Sequence, residues 1–226
     1  MMNKPNNPIK ITSAQETLTS PSYSTTFILK HFYIRKVKVI TDFIFAIFLL
    51  IIGLPLWFFI ACVIKLDSKG PVFFKQVRLG KNNEKFTLIK FRTMIENAEI
   101  ETGPVWTDKK DTRITFVGKG LRRFYLDEVP QLFNVLKGEM SIVGPRPERP
   151  YFAEQLVKKY PSYLDRLLVK PGLTGWAQIN QSYDMSIKDV GQKLKYDFYY
   201  IENLSFIFDL QIIIKTILVV LLGKGW

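Results

Sequence analysis

An α+β fold, mainly helical, is what this sequence predicts, and three observations carry that prediction. The stretch from Phe43 to Ile64 holds no charge between Asp42 and Lys65, and at about 1.5 Å per residue such a helix matches the hydrocarbon core of a bilayer. From Pro71 to Met94 two apolar and aromatic runs flank the turn-forming GKNNE, the pattern of a β-hairpin. Further on, Leu132, Val135 and Leu136 recur at helical spacing behind Pro130, and another helix is predicted from Tyr151 to about Tyr160.

In chain order, residues 1–34 form a polar tail rich in Asn, Pro, Ser and Thr, expected to be disordered or loosely attached. Residues 35–66 form the membrane-inserted helix, which begins too late and runs too long for a secretory signal peptide. Lys30, Arg35, Lys36 and Lys38 precede it and Lys65, Lys69, Lys75, Arg78 and Lys81 follow, so the distribution of positive charge favours neither orientation. Gly53 and Pro55 stand at its middle, where proline removes a helical hydrogen bond. The residues alone leave open a kinked spanning helix and one that enters and leaves by the same face.

Residues 67–200 hold one domain, long enough for a single core. Its hairpin delivers Lys90 and Arg92 at the end of the second strand, and the polar residues 95–113, with Pro104, Asp108, Asp111 and Arg113, predict a loop or lid. Gly144, Pro145 and Pro147 stop the helix around Leu132, and KPGLTGWAQIN at 170–180 breaks the next one. Residues 201–226 are very apolar, with Glu202, Ser205, Asp209 and Thr216 on one narrow helical stripe, which predicts a helix along a membrane surface, with a helix packed deep in the domain as the alternative.

Composition narrows the chemistry. A formal charge of +12 calls for an anionic partner: a lipid surface, a nucleotide or a nucleic acid. One cysteine, Cys62, and one histidine, His31, exclude an intramolecular disulfide and argue against zinc or histidine-based catalysis. There is no GxxxxGK[ST], no GxGxxG and no Asp-x-Asp.

The most informative stretch is LRRFYLDEVPQLFNVLKGEMSIVGPRPERP, Leu121 to Pro150. It sets the acid pair Asp127 and Glu128 between Arg122 and Arg123 on one side and Arg146 and Arg149 in a proline-rigid turn on the other. Two acids beside fixed cations suit a site that handles phosphate and a divalent metal. A membrane-tethered basic protein that binds nucleic acid or serves as a scaffold is the alternative, but its arginines should spread along one face rather than converge on an acid pair.

Together with KLDSKGPVFFKQVRLGKNNEKFTLIKFRTM, VKPGLTGWAQIN and KYDFYYIENLSFIFDLQIIIKTI, that stretch resembles the bacterial sugar transferases, the monotopic polyprenyl-phosphate phosphoglycosyl transferases that initiate exopolysaccharide, capsule and O-antigen synthesis. The resemblance runs from about Arg35 to the end of the chain. It implies a single cytoplasmic catalytic domain with a short hairpin, anchored by a re-entrant helix bent at its proline and by interfacial amphipathic helices. It implies the bacterial inner membrane, with the domain on the cytoplasmic face. Lacking further N-terminal spanning helices, the chain is expected to be the small form of the family.

The implied reaction moves a sugar-1-phosphate from a UDP-sugar to undecaprenyl phosphate and releases UMP. The resemblance places the nucleophile on Asp127, which would form an aspartyl phosphosugar, and Mg2+ between Asp127 and the diphosphate. Glu128 either steadies the metal shell or accepts a proton. Arg146 is the first candidate phosphate ligand, since flanking prolines fix its backbone, followed by Arg122, Lys90, Arg92 and Arg113. Trp176, Gln178 and Asn180 match the block that would hold the uracil or shape the pocket. Membrane lipids and downstream glycosyltransferases are the other implied partners, with no nucleic acid. Thr112, where the family often has proline, and Gln181, where it commonly has glycine or an aromatic residue, depart from the pattern, and the second leaves the sugar open.

Overall fold

A computed structural model describes residues 32–100, 102–105, 111–181 and 187–223 of the chain. Helix α1 (Phe32–Asp67) carries the apolar run without interruption through Gly53 and Pro55. It starts before residue 35, so the boundary expected after residue 34 lies inside a helix; the rest of the polar tail falls outside the described residues, as does Asp108. One face of α1 packs on the domain through Ala46, Leu50, Ile60 and Ile64, two pairs four residues apart. The other face exposes Ile44, Phe48, Ile51, Ile52, Phe58 and Phe59, which a water-facing helix would not do.

Both ends of α1 are fastened to the same domain. Near its start Lys38 Nζ donates to Asp209 Oδ2 at 2.5 Å, and Asp42 accepts from Ser141 Oγ at 2.6 Å and from Ile142 N–H at 3.3 Å. At its end Asp67 accepts from Val117 N–H at 3.1 Å. Arg92 there donates to the carbonyl of Ile64 in the last turn at 3.3 Å and to those of Ser68 at 2.7 Å and Lys69 at 2.8 Å just beyond it, capping the helix end.

Strands β1 (Phe73–Leu79) and β2 (Lys85–Phe91) form the expected antiparallel hairpin, with Phe73 opposite Phe91 and Leu79 opposite Lys85. Asn82 and Asn83 turn the chain with φ of 54° and 66°, a conformation that asparagine tolerates better than most residues. Residues 96–100 are turns, and a bridge between Met94 and Ile114 closes the base of this segment. Helix α2 (Phe116–Arg123) is capped by Thr115, whose hydroxyl accepts from Gly118 N–H at 3.0 Å. A 3-10 turn, Leu126–Gln131, leads into the short α3 (Leu132–Leu136).

A second two-stranded sheet, which the sequence reading did not single out, accompanies the hairpin. Strand β3 (Ser141–Val143) pairs in parallel with β4 (Gly172–Thr174), each of them three residues and too short to show alternation. Gly144 and Gly172 let these backbones touch; a Cβ on either would run into the other segment's main chain. Between them lie α4 (Pro150–Lys159), with proline at its first turn, and a 3-10 stretch, Pro161–Leu168. After β4 come α5 (Trp176–Asn180), α6 (Ile187–Glu202) and α7 (Phe206–Leu221).

The C-terminal stretch is therefore two helices and not one, because the chain breaks after Glu202 and Ser205 caps α7 by accepting from Phe208 N–H at 3.2 Å. Asp209 and Thr216, read as a polar stripe, face the protein: Asp209 meets Lys38 and the Tyr200 hydroxyl, and Thr216 meets Thr174 at 2.7 Å. Phe206, Ile207, Leu210, Ile214, Ile217 and Leu221 point outward. Beneath α7 the larger core gathers Leu132, Met140, Ile142, Tyr163, Leu194, Ile201 and Ile212, while Ile60, Ile64, Phe91 and Leu121 form a smaller one under α1.

Candidate active site

The hairpin, the 3-10 turn and the GPRPER segment enclose a cavity of about 940 Å³. The local sequence explains why their polar residues face it. In β1, Phe74, Gln76 and Arg78 alternate onto the face shared with Lys90, which pairs with Phe74. Tyr125, held at φ 55°, redirects the chain between α2 and the turn that carries Asp127 and Glu128. A left-handed tyrosine costs about 1–2 kcal/mol, and such strain gathers at functional sites.

The GPRPER turn is fixed through four successive carbonyls. Pro145 O accepts from Gly172 N–H at 2.9 Å, Arg146 O from Arg166 at 2.9 Å, Pro147 O from Arg78 at 3.3 Å, and Glu148 O from Leu79 N–H at 2.9 Å. Arg146 thus leaves a backbone held by β4, β1 and the Pro161–Leu168 stretch together.

Its guanidinium grips Glu128 with two hydrogen bonds, of 2.5 and 3.0 Å, the bidentate geometry that suits an arginine and a carboxylate. Burial pushes Glu128 up, but the charge and hydrogen bonds of Arg146, with Lys90 and Arg78 behind them, outweigh it and hold the carboxyl below its ordinary range. Asp127 is the opposite case. It is buried, yet no hydrogen bond reaches its carboxylate among the described residues. Burial first and the Glu128 charge second push it up to about 6, against the pull of Lys90, Arg122 and Arg146. One acid of the pair is locked; its neighbour is left available.

Of the other predicted residues, Lys90, Arg92, Arg122, Gln178 and Asn180 also line the cavity. Burial lowers Lys90 to about 8, and its ammonium lies 5.4 Å from the Phe74 ring centre. Arg122 donates from Nε to Thr93 Oγ1 at 2.8 Å. Arg92 reaches the cavity wall, but its hydrogen bonds cap α1, as described above. Arg113 is not brought to the cavity: it pairs with Asp111 and donates to Ala98 O at 2.8 Å and Thr102 Oγ1 at 2.7 Å, bracing the loop. Trp176 is also absent from the wall, its ring packed against Tyr199 and Phe208 with Lys215 Nζ 4.6 Å away. Gln178 donates to Leu173 O at 3.0 Å, and its buried amide oxygen accepts no hydrogen bond.

Arg78, Glu148 and Lys193 are cavity residues that the sequence reading did not single out. Glu148 joins them, 3.3 Å from Arg78 and 4.0 Å from Lys193. The alternation of Phe74, Gln76 and Arg78 was the available signal for the first; nothing local marks Lys193. The loop reaches over this group through Glu99, which takes two 2.8 Å hydrogen bonds from Arg149.

For Mg2+, the carboxylate of Asp127 is a fitting donor, since this ion typically uses one or two carboxylates and completes its shell with substrate phosphates and water. Glu128 has both oxygens on Arg146, and no cluster of three His, Cys, Asp or Glu residues occurs among the described residues.

Comparison with known proteins places this arrangement. The bacterial sugar transferase family matches residues 33–223. The chain is 46% identical over 171 residues to the UDP-N-acetylgalactosamine-undecaprenyl-phosphate N-acetylgalactosaminephosphotransferase of Aeromonas hydrophila, covering 76% of this chain and 40% of that protein. It is 41% identical over 186 residues to the UDP-glucose:undecaprenyl-phosphate glucose-1-phosphate transferase of Xanthomonas campestris pv. campestris, covering 81% and 38%. With the exopolysaccharide production protein ExoY of Sinorhizobium fredii it shares 38% identity over 199 residues, covering 81% and 85%. The chain spans less than half the length of the first two relatives. It belongs to the bacterial sugar transferase family.

Proposed function

We propose that this chain transfers a sugar-1-phosphate from a UDP-sugar to undecaprenyl phosphate, releasing UMP, and so begins the synthesis of an exopolysaccharide or related glycoconjugate. The observation that carries the reading is Asp127: a buried carboxylate with no hydrogen bond among the described residues, facing a cavity lined by Lys90, Arg122 and Arg146. The names of the relatives support the two substrates.

In this reading an Asp127 oxygen attacks the phosphorus next to the sugar, the bond from that phosphorus to the oxygen of UMP breaks, and UMP leaves. An oxygen of the lipid phosphate then attacks the same phosphorus, and Asp127 departs as a carboxylate. Two anions must meet in each step, so catalysis rests on positioning and on neutralising charge. Lys90 and Arg122 supply cations on the wall, and Arg146 keeps its charge beside Glu128. Asp127 would hold Mg2+ together with the diphosphate, and the ion would supply further neutralisation there. Glu128, depressed in pKa, is a weak proton acceptor; it acts by aiming Arg146. Gln178, on the cavity wall, is placed to meet the uracil or the sugar.

The helix α1 enters and leaves the inner membrane by one face, with the domain on the cytoplasmic side. Lys38 and Asp42 at one end and Asp67 at the other bind the same polar domain, which supports a helix whose two ends share one side. Reagents that cannot cross the membrane should therefore miss tags at both Ser20 and the C-terminus in intact cells; labelling of only one would mean a spanning helix. For the chemistry, brief incubation with a UDP-sugar and no lipid should leave a phosphosugar on the protein, seen by intact mass and absent in Asp127→Asn. Repeated failure to trap it in an active preparation would favour direct attack by the lipid phosphate.

A further inference from the structure

One of the four anchors of the GPRPER turn comes from a side chain that does not itself line the cavity. Arg166, in the Pro161–Leu168 stretch, is fully buried and pairs with the equally buried Asp197 of α6. Its Nε and one terminal nitrogen both lie 2.8 Å from Asp197 Oδ2, and that same terminal nitrogen donates to the carbonyl of Arg146 at 2.9 Å. Its other terminal nitrogen donates to the Tyr163 hydroxyl at 3.2 Å. Arg166 thus reaches Asp197, Tyr163 and the catalytic-side turn at once.

A buried ion pair is seldom an economical source of stability. Replacing one with apolar residues is often neutral or favourable, so its presence asks for a reason in specificity or position. Here the third partner supplies that reason. Arg146 stands between two prolines, which have no N–H to anchor the turn, so its placement depends on what its carbonyls accept. The side chain that leaves this backbone is the one that occupies both oxygens of Glu128. Where that carbonyl sits sets where the Arg146 side chain starts, and so how squarely its guanidinium meets both Glu128 oxygens.

We propose that Arg166 and Asp197 are positioning residues for the reaction, holding the Arg146 backbone so that Arg146 occupies Glu128 and Asp127 is left to react. The proposal rests on the phosphosugar-transfer reading given above. Arg166→Lys keeps the charge but cannot serve Asp197, Tyr163 and the Arg146 carbonyl from one fork. Asp197→Asn keeps an acceptor for the guanidinium and removes only the charge that steadies it.

The full chain in lipid nanodiscs, assayed for UMP release from a UDP-sugar with undecaprenyl phosphate, tests this. Arg166→Lys is expected to lower kcat at least tenfold and Asp197→Asn about threefold, with KM for the UDP-sugar changed less than threefold in both. The deciding measurement is the coupling to Glu128. In a Glu128→Gln background, Arg166→Lys should cost less than threefold more, because the fork it protects is already weakened. Full multiplication of the two effects in an active enzyme would overturn the relay and leave the reaction standing. Loss of the cooperative melt in both Arg166→Lys and Asp197→Asn would assign the pair to the fold alone and also overturn it. A wild-type chain that releases no UMP from any UDP-sugar would overturn the reaction itself, and the relay with it.

Discussion

Two pairs of carboxylates in this molecule are completed in different ways. In the seam between α1, β3 and α7, Asp42 and Asp209 flank Lys38, and each also takes neutral donors: Ser141 Oγ and Ile142 N–H for Asp42, the Tyr200 hydroxyl for Asp209. In the cavity, Glu128 takes both hydrogen bonds from Arg146 and Asp127 takes none among the described residues. Burying a charge is costly; in the seam Lys38 and the neutral donors offset part of that cost, though burial still pushes Asp42 up, whereas Asp127 has nearby cations but no hydrogen bond to offset its burial. The seam is built to hold helices together, and the cavity is built to leave one acid unsatisfied.

The sharpest way to break this contrast is Asp127→Asn. It should lower UMP release by about 10³-fold or more, as loss of a nucleophile does. The same variant should also raise the thermal midpoint at pH 7.5. Folded Asp127 keeps its proton up to about pH 6, against 3.8 as its ordinary value, so the folded state binds the proton more tightly than the unfolded one does. Stability therefore falls as pH rises through that window, and the amide removes the loss. An unchanged or lowered midpoint would mean that Asp127 is satisfied after all.

Lys38→Met should do the reverse. It strands Asp42 and Asp209 without their shared cation, a loss of about 3 kcal/mol measured by denaturant titration in detergent. Turnover per folded molecule should stay at the wild-type level, and a drop would connect the seam to the chemistry. Smaller in size is the pH response of kcat/KM, which should rise through about pH 6 as Asp127 ionises and fall through about pH 8 as Lys90 loses its proton. In Glu128→Gln the acid limb should move down, because the like charge beside Asp127 is gone. Least of all, Gln178→Leu should raise KM for the UDP-sugar about threefold to tenfold with kcat little changed; an effect confined to kcat would take Gln178 out of substrate binding.

Much of this was legible in the sequence where neighbours in the chain are also neighbours in space. The uncharged run became α1, the GKNNE flanks became the hairpin, and Asp127, Glu128 and Arg146 converge from one stretch of 30 residues, Leu121–Pro150. What stayed hidden has a physical cause in each case. Arg92 and Arg146 are the same residue type, and only the fold tells a helix cap from a group that grips an acid. Trp176 sits two positions from Gln178, and its ring turns to Tyr199 and Phe208, a choice made by helices that follow it in the chain. Arg166 and Asp197 lie 31 positions apart, and no local pattern announces that they meet. The stripe of Glu202, Ser205, Asp209 and Thr216 was real in part, but polar residues normally mark the wet side of a helix, and here Asp209 and Thr216 face inward.

That inverted helix has a bearing on how the protein must be handled. With Phe206, Ile207, Leu210 and Ile214 on its outer surface, α7 is wrapped like a core element turned inside out, and in the proposed membrane placement hydrocarbon would supply the missing layer. Stripped of amphiphile, the same side chains would seek each other on adjacent molecules, so clumping in plain buffer would report a homeless surface rather than a misfolded chain.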